Sequence, residues 1–143
     1  MTEQSRPLAG MRVIELAHIM AGPLCGMMLA DMGADVIKVE KIDGGDDSRR
    51  MVPPQIGDQS AAFLMMNRNK RGLALDLKAD EGHEVLKRLL AEADCVIENF
   101  RHDTMARLGL SYEELKALNP GLIYVEISGY GRTGPYSERA GFD

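Results

Sequence analysis

The chain has 143 residues, of which 45% are hydrophobic, and this is enough apolar material for one folded domain. Its net charge of −5, from 22 acidic and 17 basic residues, argues against a nucleic-acid-binding surface, which is usually basic. The first residues are polar, and no apolar run approaches the roughly 20 residues that span a bilayer. We therefore expect no signal peptide, no membrane segment and a cytoplasmic protein.

Cysteine and histidine usage bears on the compartment and on metal binding. Two cysteines fit a reducing compartment, and Cys25 and Cys95 lie among apolar residues, which predicts buried thiols rather than nucleophiles or ligands. His18, His83 and His102 have no ligand spacing with each other or with the cysteines. We therefore predict no metal site.

Short apolar runs alternate with helical patterns along the chain. Five runs rich in β-branched and other apolar residues are predicted to be strands, at residues 12–17, 35–40, 73–77, 95–100 and 122–128. The turn after the first run contains Gly22-Pro23, a pair typical of a helix start. The alternation predicts an α/β fold with a Rossmann-like, mostly parallel sheet flanked by helices.

Two helices carry clear signals in the second half of the chain. Residues 79–93 place apolar side chains at three-and-four spacing and acidic side chains in the first turn. A second helix is predicted to begin at Ser111, which with Glu114 matches a capping box, and to end at Asn119-Pro120. The first helix is predicted to bury one face, and Leu110 and Leu115 suit a hydrophobic staple at the start of the second.

The segment between the second and third predicted strands is long and polar. Residues 41–62 contain Gly44-Gly45 and Pro53-Pro54 and have no clear helix or strand pattern. Loops of this length inside a compact domain are usually functional or mobile. We find no internal repeat, low-complexity tract or linker, so the sequence indicates a single domain.

Ligands of open parallel sheets bind beyond the carboxyl ends of the strands. In this sequence the polar or flexible residues at those ends are His18, Lys41, Lys78, Asn99 and Gly129. Free amides at the helix start after the first strand could also hold an anion. His18 could serve either as a ligand contact or as a structural histidine, and Phe100 either as a core residue or as a flat face for an adenine ring.

The glycine pattern disfavours NAD. The glycines after the first strand are Gly22, Gly26 and Gly33, and neither G-x-G-x-x-G nor G-x-x-x-x-G-K-[ST] occurs. Glu40 lies 18 residues beyond Gly22 and could be compared with a ribose-binding carboxylate, but the fingerprint that would support this role is missing. We therefore predict that NAD is not a cofactor.

The strongest basic cluster is "NRNKRG", just before the third predicted strand. Its Arg68, Lys70 and Arg71 could form a solvated turn. Alternatively, these cations could join the other basic residues Lys41, Arg49 and Arg50 to attract a polyanionic ligand such as a phosphorylated nucleotide. The residues alone therefore indicate a nucleotide-like site on a Rossmann-type sheet and go no further.

Six stretches, taken in order, are similar to the N-terminal part of the family III CoA-transferases, the CaiB/BaiF group. They are "PLAGMRVIELAHIMAGPLCGMMLADMGADVIKVE", "GGDDSRR", "NRNKRGLALDLK", "DCVIENFR", "RLGLSYEELKALNPGLIYVEISGYGRTGPY" and "AGFD". The resemblance covers residues 7–143. The group includes formyl-CoA and carnitine CoA-transferases and α-methylacyl-CoA racemases, and as an ordered set these stretches are specific for it.

The resemblance implies a site for coenzyme A, bound as acyl-CoA substrate. The implied contacts are His18, Met20 and Ala21 after the first strand, Lys41 after the second, Leu75 and Lys78 after the third, Asn99, Phe100 and Arg101 after the fourth, and then Arg107, Arg139 and Phe142. CoA carries an adenine, a pyrophosphate and a 3′-phosphate, so cations, helix-end amides and a stacking surface suit it. His102-Asp103 replaces the Pro-Gly that commonly follows "ENFR", so the resemblance supports the local loop geometry and the contact from Arg101 least.

Phe142 bears on the choice between transferase and racemase. The racemase branch has a catalytic histidine at this position, whereas the transferases usually have an aromatic residue. Phenylalanine cannot transfer a proton, so its presence favours the transferase. An α-methylacyl-CoA racemase remains the alternative enzyme.

The resemblance also implies that the nucleophile is not among these residues. In similar transferases an aspartate in a later glycine-rich motif forms the covalent intermediates, and Asp143 occupies a different motif. We therefore expect residues 1–143 to be a partial CoA-binding domain without the smaller domain or the C-terminal return, and to be inactive alone. The complete enzyme is expected to be an interlocked homodimer. If the chain ended at Asp143, a non-catalytic CoA- or nucleotide-binding module would be the preferred interpretation.

Overall fold

The computed structural model describes residues 6–141, which form a five-stranded sheet with helices on both faces. In chain order its elements are β1 (Arg12–Glu15), α1 (Ala21–Asp31), β2 (Asp35–Glu40), a 3₁₀ helix (Asp47–Arg50), β3 (Gln55–Ile56), β4 (Gln59–Ser60), α2 (Ala61–Asn67), β5 (Arg71–Ala74), α3 (Asp80–Ala91), β6 (Cys95–Glu98), α4 (Thr104–Arg107), α5 (Tyr112–Leu118) and β7 (Ile123–Glu126). The strands β3 and β4 form a separate antiparallel hairpin.

The large sheet has the order β5-β2-β1-β6-β7, and all of its neighbouring strands are parallel. The first strand in the chain therefore lies at the centre, the next two extend the sheet to one side, and the last two extend it to the other. This is the 3-2-1-4-5 order of Rossmann-like sheets. The predicted α/β fold with a mostly parallel sheet is confirmed.

Successive side chains of the central strand pack on opposite faces of the sheet, as the pleat requires. On one face Ile14 belongs to a core cluster with Leu86 and Leu90 of α3. On the other face Val13 belongs to a second cluster with Ala30 of α1. Because both faces are covered, the strands read as nearly continuous apolar runs, which is the pattern that allowed their prediction.

The third strand of the large sheet begins and ends earlier than predicted. The expected range was 73–77, whereas β5 covers Arg71–Ala74. Its length is set by its partner, because the ladder with β2 runs from Ile37↔Arg71 to Glu40↔Ala74 and β2 ends at Glu40. Beyond it, the Lys78 amide donates to Asp76 Oδ1 at 2.9 Å and closes a turn.

The polar stretch 41–62 is more ordered than the predicted loop. It contains the 3₁₀ helix, the β3–β4 hairpin and the start of α2. Asp46 caps the 3₁₀ helix, since its carboxylate accepts from the Ser48 amide at 2.9 Å. Ser60 caps α2 in the same way through the Phe63 amide, at 3.4 Å. These elements are therefore stabilised at their starts by short polar side chains, although the stretch has no apolar periodicity that would predict them.

The two helices predicted in the second half of the chain are present, as α3 and α5. In α5, Ser111 and Glu114 form the predicted capping box, with the Ser111 amide donating to Glu114 Oε2 at 2.8 Å and the Glu114 amide donating to Ser111 Oγ at 3.4 Å. Leu110 and Leu115 are both fully buried on the α3 side of the sheet. The cap therefore fixes the point at which the chain enters the core.

Helix α1 packs against the segment containing β1 with no room for a side chain at two of its glycines. A Cβ atom at Gly26 would lie 1.9 Å from Glu15 Oε2, and one at Gly22 would lie 2.1 Å from the Ala17 Cβ. The glycines of the first turn and helix therefore serve helix–strand packing. This explains why they do not follow the spacing of a dinucleotide-binding loop.

The solvent-exposed face of α1 carries apolar side chains. Leu24 is 47% exposed and Met28 is 56% exposed, one turn apart. Within the described residues, no helix is both long enough and apolar enough to cross a membrane. Apolar side chains grouped on an exposed helix face are typical of a surface that contacts other protein.

We expect Gly26→Ala to destabilise the protein by about 1–3 kcal/mol, because the new methyl group would meet the buried Glu15 carboxylate and α1 would have to move away from β1. Gly72→Ala is the matched control. Its Cβ would have only Glu40 Oε2 nearby, at 3.9 Å, so its effect should stay within about 0.5 kcal/mol. Urea unfolding of both variants measures the difference, and equal midpoints would contradict the close approach of α1.

Candidate functional site

The strand order of the large sheet reverses between β1 and β6, which are neighbours at its centre. In open parallel sheets, the crevice beyond the carboxyl ends of such a strand pair is the usual ligand site. The segment that follows β1 contains His18, and the segment that follows β6 contains Asn99 and Phe100. The fold therefore brings three of the predicted site residues together at this point.

Two hydrogen bonds join the segments across the crevice. The His18 amide donates to Asn99 Oδ1, and Asn99 Nδ2 donates to the His18 carbonyl, each at 2.9 Å. The His18 and Phe100 rings also contact each other, with centroids 4.9 Å apart and planes tilted by 50°. Asn99 thus uses both ends of its amide to hold the β1–α1 turn, and the aromatic pair is a second contact between the two segments.

Four charged side chains are buried behind this turn. Lys38 Nζ lies 2.9 Å from Glu15 Oε1 and 2.8 Å from Asp46 Oδ2, and Lys70 Nζ lies 2.8 Å from Glu15 Oε2. None of these side chains is more than 2% exposed. The two ammonium groups and two carboxylates balance, which buried charges require. We call these residues the buried charge network.

Asp46 connects the buried charge network to the turn. Its carboxylate accepts from the Ile19 amide, at 3.1 Å to Oδ1 and 3.2 Å to Oδ2, and from the hydroxyl of Ser48 at 2.8 Å. Burial alone would raise the pKa of Asp46, but the hydrogen bonds and the charge of Lys38 outweigh it and lower the pKa to about 2. Asp46 is therefore ionised throughout the physiological range.

Beyond β2, two exposed cations share one exposed carboxylate. The Asp47 carboxylate lies 2.7 Å from Lys41 Nζ and 2.6 Å from an Arg50 nitrogen, and all three side chains are at least half exposed. Two cations against one carboxylate leave a net charge of +1 in this group. Beside it is a groove of about 300 Å³ lined by Ile42, Ala74, Leu75, Asp76, Ala79, Glu81, Gly82 and Val85.

On the other side of the crevice, Glu98 and Arg132 hold the Phe100 backbone from both ends. The Phe100 amide donates to Glu98 Oε2 at 2.8 Å, and Arg132 donates to the Phe100 carbonyl at 3.0 Å and to Glu98 Oε1 at 3.3 Å. Burial raises the pKa of Glu98, and these donors oppose the shift. Glu98, Arg132 and Arg101 line a cleft of about 170 Å³ between β6, β7 and α4.

The other predicted contacts lie on segments that follow β1, β5, β6 and β7. Met20 and Ala21 are exposed at the start of α1, and Lys78 is exposed beyond β5. Arg107 ends α4, and Arg139 stacks on Tyr136 with its guanidinium carbon 4.3 Å from the ring centroid. The loop with Arg139 returns to the sheet where Gly141 contacts Gly129. Phe142 and Asp143 lie outside the described residues.

Most of the cations considered for polyanion binding are paired within the fold instead. Arg68 binds Asp31 at 2.5 Å, Arg71 binds Asp35 at 2.9 Å, and Lys70 belongs to the buried charge network. Because the side chain of Lys70 is only 2% exposed, it does not reach a ligand at the surface. For this residue the polyanion interpretation is wrong.

Glu40 does not suit the ribose-binding role that was considered for it. Arg49 binds both of its carboxylate oxygens, at 2.8 Å and 2.7 Å, and the Asp46 amide donates to Oε1 at 2.7 Å. Arg49 also lies over the Phe63 ring, 3.6 Å from the centroid. Glu40 therefore fixes the loop after β2.

Both cysteines were predicted to be buried. Cys95 is buried, whereas Cys25 is only half-buried. Cys95 is buried in β6, and burial raises its pKa to about 11, so it stays protonated. Cys25 is half-buried, and burial raises its pKa as well. Among residues 6–141, no three His, Cys, Asp or Glu side chains are grouped closely enough to hold a metal ion.

Sequence reasoning missed the buried charge network and the role of Asp46. One signal was present, because Lys38 interrupts the otherwise apolar strand "DVIKVE". A lysine in the middle of a strand buried on both faces needs a buried carboxylate partner. The pattern does not identify the carboxylate. Glu15 lies on another strand, 23 residues before Lys38, and Asp46 lies in the loop that follows β2.

Comparison with known proteins identifies the family. The model of CoA-transferase family III matches residues 8–143, and the chain belongs to this family. A solved structure of a CAIB/BAIF family protein from Brucella suis has a TM-score of 0.93 and 51% sequence identity, over 98% of this chain and 38% of that chain. The resemblance noted in the sequence is thus confirmed.

Curated relatives include CoA-transferases from bacteria and animals. The succinate–glutarate CoA-transferase of Agrobacterium fabrum is 51% identical over 149 residues, which cover 100% of this chain and 37% of that protein. The succinyl-CoA:glutarate CoA-transferase of Homo sapiens is 42% identical over 138 residues, which cover 96% of this chain and 32% of that protein. The chain thus spans about a third of the length of these relatives.

We expect the pKa of His18 to lie below the ordinary histidine value of about 6.5, because burial penalises its charged form. The unfolded state then takes up the proton first, so this group destabilises the fold as the pH falls through about 6.5. NMR titration of the imidazole, assigned with His18→Gln, measures the pKa. Asp46→Asn should lower it further, since the Asp46 carboxylate opposes the shift. A His18 pKa above 6.5 would contradict the described packing.

Proposed function

We propose that this chain supplies much of the CoA site of a family III CoA-transferase, an enzyme that moves CoA between an acyl-CoA and a carboxylic acid. One observation carries the proposal. This chain belongs to the family, and hydrogen bonds join His18 to Asn99 beyond the carboxyl ends of β1 and β6, where the strand order reverses and an open sheet usually binds its ligand. The proposal gives each part of CoA a matching part of the site.

The adenosine end of CoA would lie beyond β2 and β5. The groove beside Leu75 has apolar walls from Ile42 and Val85, which suit a flat base. The neighbouring group of Lys41 and Arg50 with Asp47 keeps a net positive charge, which suits the 3′-phosphate. Lys78 is exposed at the same edge and would add a further cation.

The pyrophosphate and pantetheine would follow the crevice toward β6. The first amides of α1, at Ala21 and Gly22, face this edge and favour an anion, and the side chain of Met20 makes no capping hydrogen bond to them. The contacting rings of His18 and Phe100 would meet the pantetheine arm. Arg101, Arg107 and Arg139, and Phe142 outside the described residues, would complete the contacts.

The reaction would proceed through an aspartate that lies outside these 143 residues. Its carboxylate attacks the thioester carbonyl of the donor, which releases CoA thiolate and leaves a mixed anhydride. The thiolate then attacks the aspartyl carbonyl, giving an aspartyl-CoA thioester and the free donor acid. An incoming carboxylate repeats the two steps in reverse order, forms the new acyl-CoA and regenerates the aspartate. The residues described here bind and orient CoA during these steps.

The substrates proposed for this protein follow the names of its relatives. Three of them are named for succinyl-CoA or succinate as one partner, with glutarate or D-citramalate as the other. We propose succinyl-CoA as donor and a short dicarboxylate as acceptor. We also propose a cytoplasmic homodimer, in which a smaller domain and a C-terminal return complete the structure.

Two other functions, a non-catalytic binding module and a racemase, predict different results in a CoA-transfer assay. A non-catalytic module would bind CoA without turnover. A racemase would exchange the α-proton of a 2-methylacyl-CoA without moving CoA between acids. Phe142 disfavours the racemase because it cannot transfer a proton.

The test is a transfer assay of the complete protein with succinyl-CoA and glutarate, followed by mass spectrometry of the CoA esters. We expect glutaryl-CoA and succinate to form in equal amounts. Hydrolysis of succinyl-CoA in the absence of protein is the control for loss of donor. Binding of CoA without any ester exchange with a panel of short carboxylic acids would refute the transferase, and deuterium uptake from D₂O at the α-carbon would support the racemase.

We expect Lys41→Ala to raise the Kd for CoA by about tenfold, because a charge-assisted contact with phosphate is lost. Arg71→Ala is the matched control, since this arginine is also exposed and paired with an aspartate. It lies at the start of β5, whereas Lys41 follows the end of β2, so the two residues are at opposite edges of the sheet. Calorimetric titration of CoA at low and high salt measures both variants. An equal effect of the two substitutions would contradict the placement of the phosphate beyond β2.

A further inference from the structure

The turn between β1 and α1 contains an unusual backbone conformation. Ile19 has a φ of 66°, in the left-handed region that β-branched residues rarely adopt because their side chain crowds the backbone. A strained residue of this kind persists only where its surroundings hold it, and such residues occur most often at functional sites. Ile19 lies directly between His18 and Met20, two residues of the proposed CoA site.

The group that holds Ile19 is the carboxylate of Asp46. Both of its oxygens accept from the Ile19 amide, at 3.1 Å and 3.2 Å, and this bond links residues 27 positions apart in the chain. The carboxylate is itself fixed from three sides, by Lys38 Nζ at 2.8 Å and by the amide and hydroxyl of Ser48 at 2.9 Å and 2.8 Å. It is buried, so it does not itself touch a ligand at the surface.

The adjacent contacts show what the conformation of Ile19 achieves. On one side, the His18 amide and carbonyl are paired with Asn99. On the other side, Ala21 begins α1, so its first amides take their direction from the turn. If Ile19 relaxed to an ordinary φ, the chain on one side of it would have to rotate, and either the His18–Asn99 pair or the start of α1 would move.

We propose that Asp46 is a positioning residue that holds Ile19 in the left-handed conformation and thereby sets the affinity of the site for CoA. This inference rests on the proposed function. Asp46 acts through the turn and takes no part in the chemistry. Its effect is therefore on the binding of every CoA substrate, whichever acid is transferred.

The test uses Asp46→Asn in the complete protein. The substitution keeps the size of the side chain but replaces one acceptor oxygen with a donor, which would face Lys38 or the Ile19 amide. We expect the Kd for CoA to rise about tenfold or more, with a similar rise in KM for succinyl-CoA and a smaller change in kcat. Asp31→Asn is the matched control, because Asp31 also pairs with a cation but lies at the far end of α1.

A second substitution separates positioning of the turn from general stability. Glycine adopts the left-handed region without penalty, so Ile19→Gly should lessen the need for Asp46. We expect Asp46→Asn with Ile19→Gly to bind CoA several-fold more tightly than Asp46→Asn alone, while its unfolding midpoint stays as low as that of the single variant. Hydrogen exchange at the Ile19 amide, which needs no CoA, should be faster in Asp46→Asn than in the wild type.

Three results would overturn the inference. The first is an unchanged Kd for CoA in Asp46→Asn, and the second is a loss of affinity that Ile19→Gly does not reduce. The third is unchanged exchange of the Ile19 amide. If the wild-type protein failed to bind CoA, the proposed function would fall and the link to affinity with it, whereas wild-type binding with an unaffected Asp46→Asn variant would overturn this inference alone.

Discussion

The structure depends on the burial of the Lys38 ammonium group at the centre of the sheet. Lys38 belongs to β2, and its Nζ lies 2.8–2.9 Å from the carboxylates of Glu15 in β1 and Asp46 in the loop after β2, and from the Ala17 carbonyl. A buried charge is tolerated only when partners surround it, so these contacts determine where three separate segments lie. Lys70 extends the constraint to α1 through the Pro23 carbonyl at 2.8 Å.

Three of the residues that follow β1 and β6 are held by buried or half-buried polar side chains. Asp46 holds Ile19, Asn99 holds His18, and Glu98 with Arg132 holds the backbone of Phe100. In the proposed site these residues would be ordered before CoA arrives, which would reduce the entropy lost on binding. The buried charges balance one another, so in the proposed site the exposed Lys41 and Arg50 would be the groups that attract the phosphates of CoA.

The sequence predicted what local patterns encode. Apolar runs located all five strands of the large sheet, and the Ser111–Glu114 capping box located the start of α5. The end of β5 was missed because it depends on where its partner β2 stops. The role of Asp46 was missed because the Ile19 amide that it holds is 27 residues away in the chain. The individual CoA contacts came from family resemblance, since the residues alone indicated only a nucleotide-like site.

The central claim is that CoA binds at the carboxyl ends of β1 and β6. A crystal structure of the complete protein with CoA tests it most directly. The account predicts the pyrophosphate at the start of α1, the adenine in the groove beside Leu75, and unchanged hydrogen bonds between His18 and Asn99. CoA bound elsewhere, with these segments uncontacted, would contradict it.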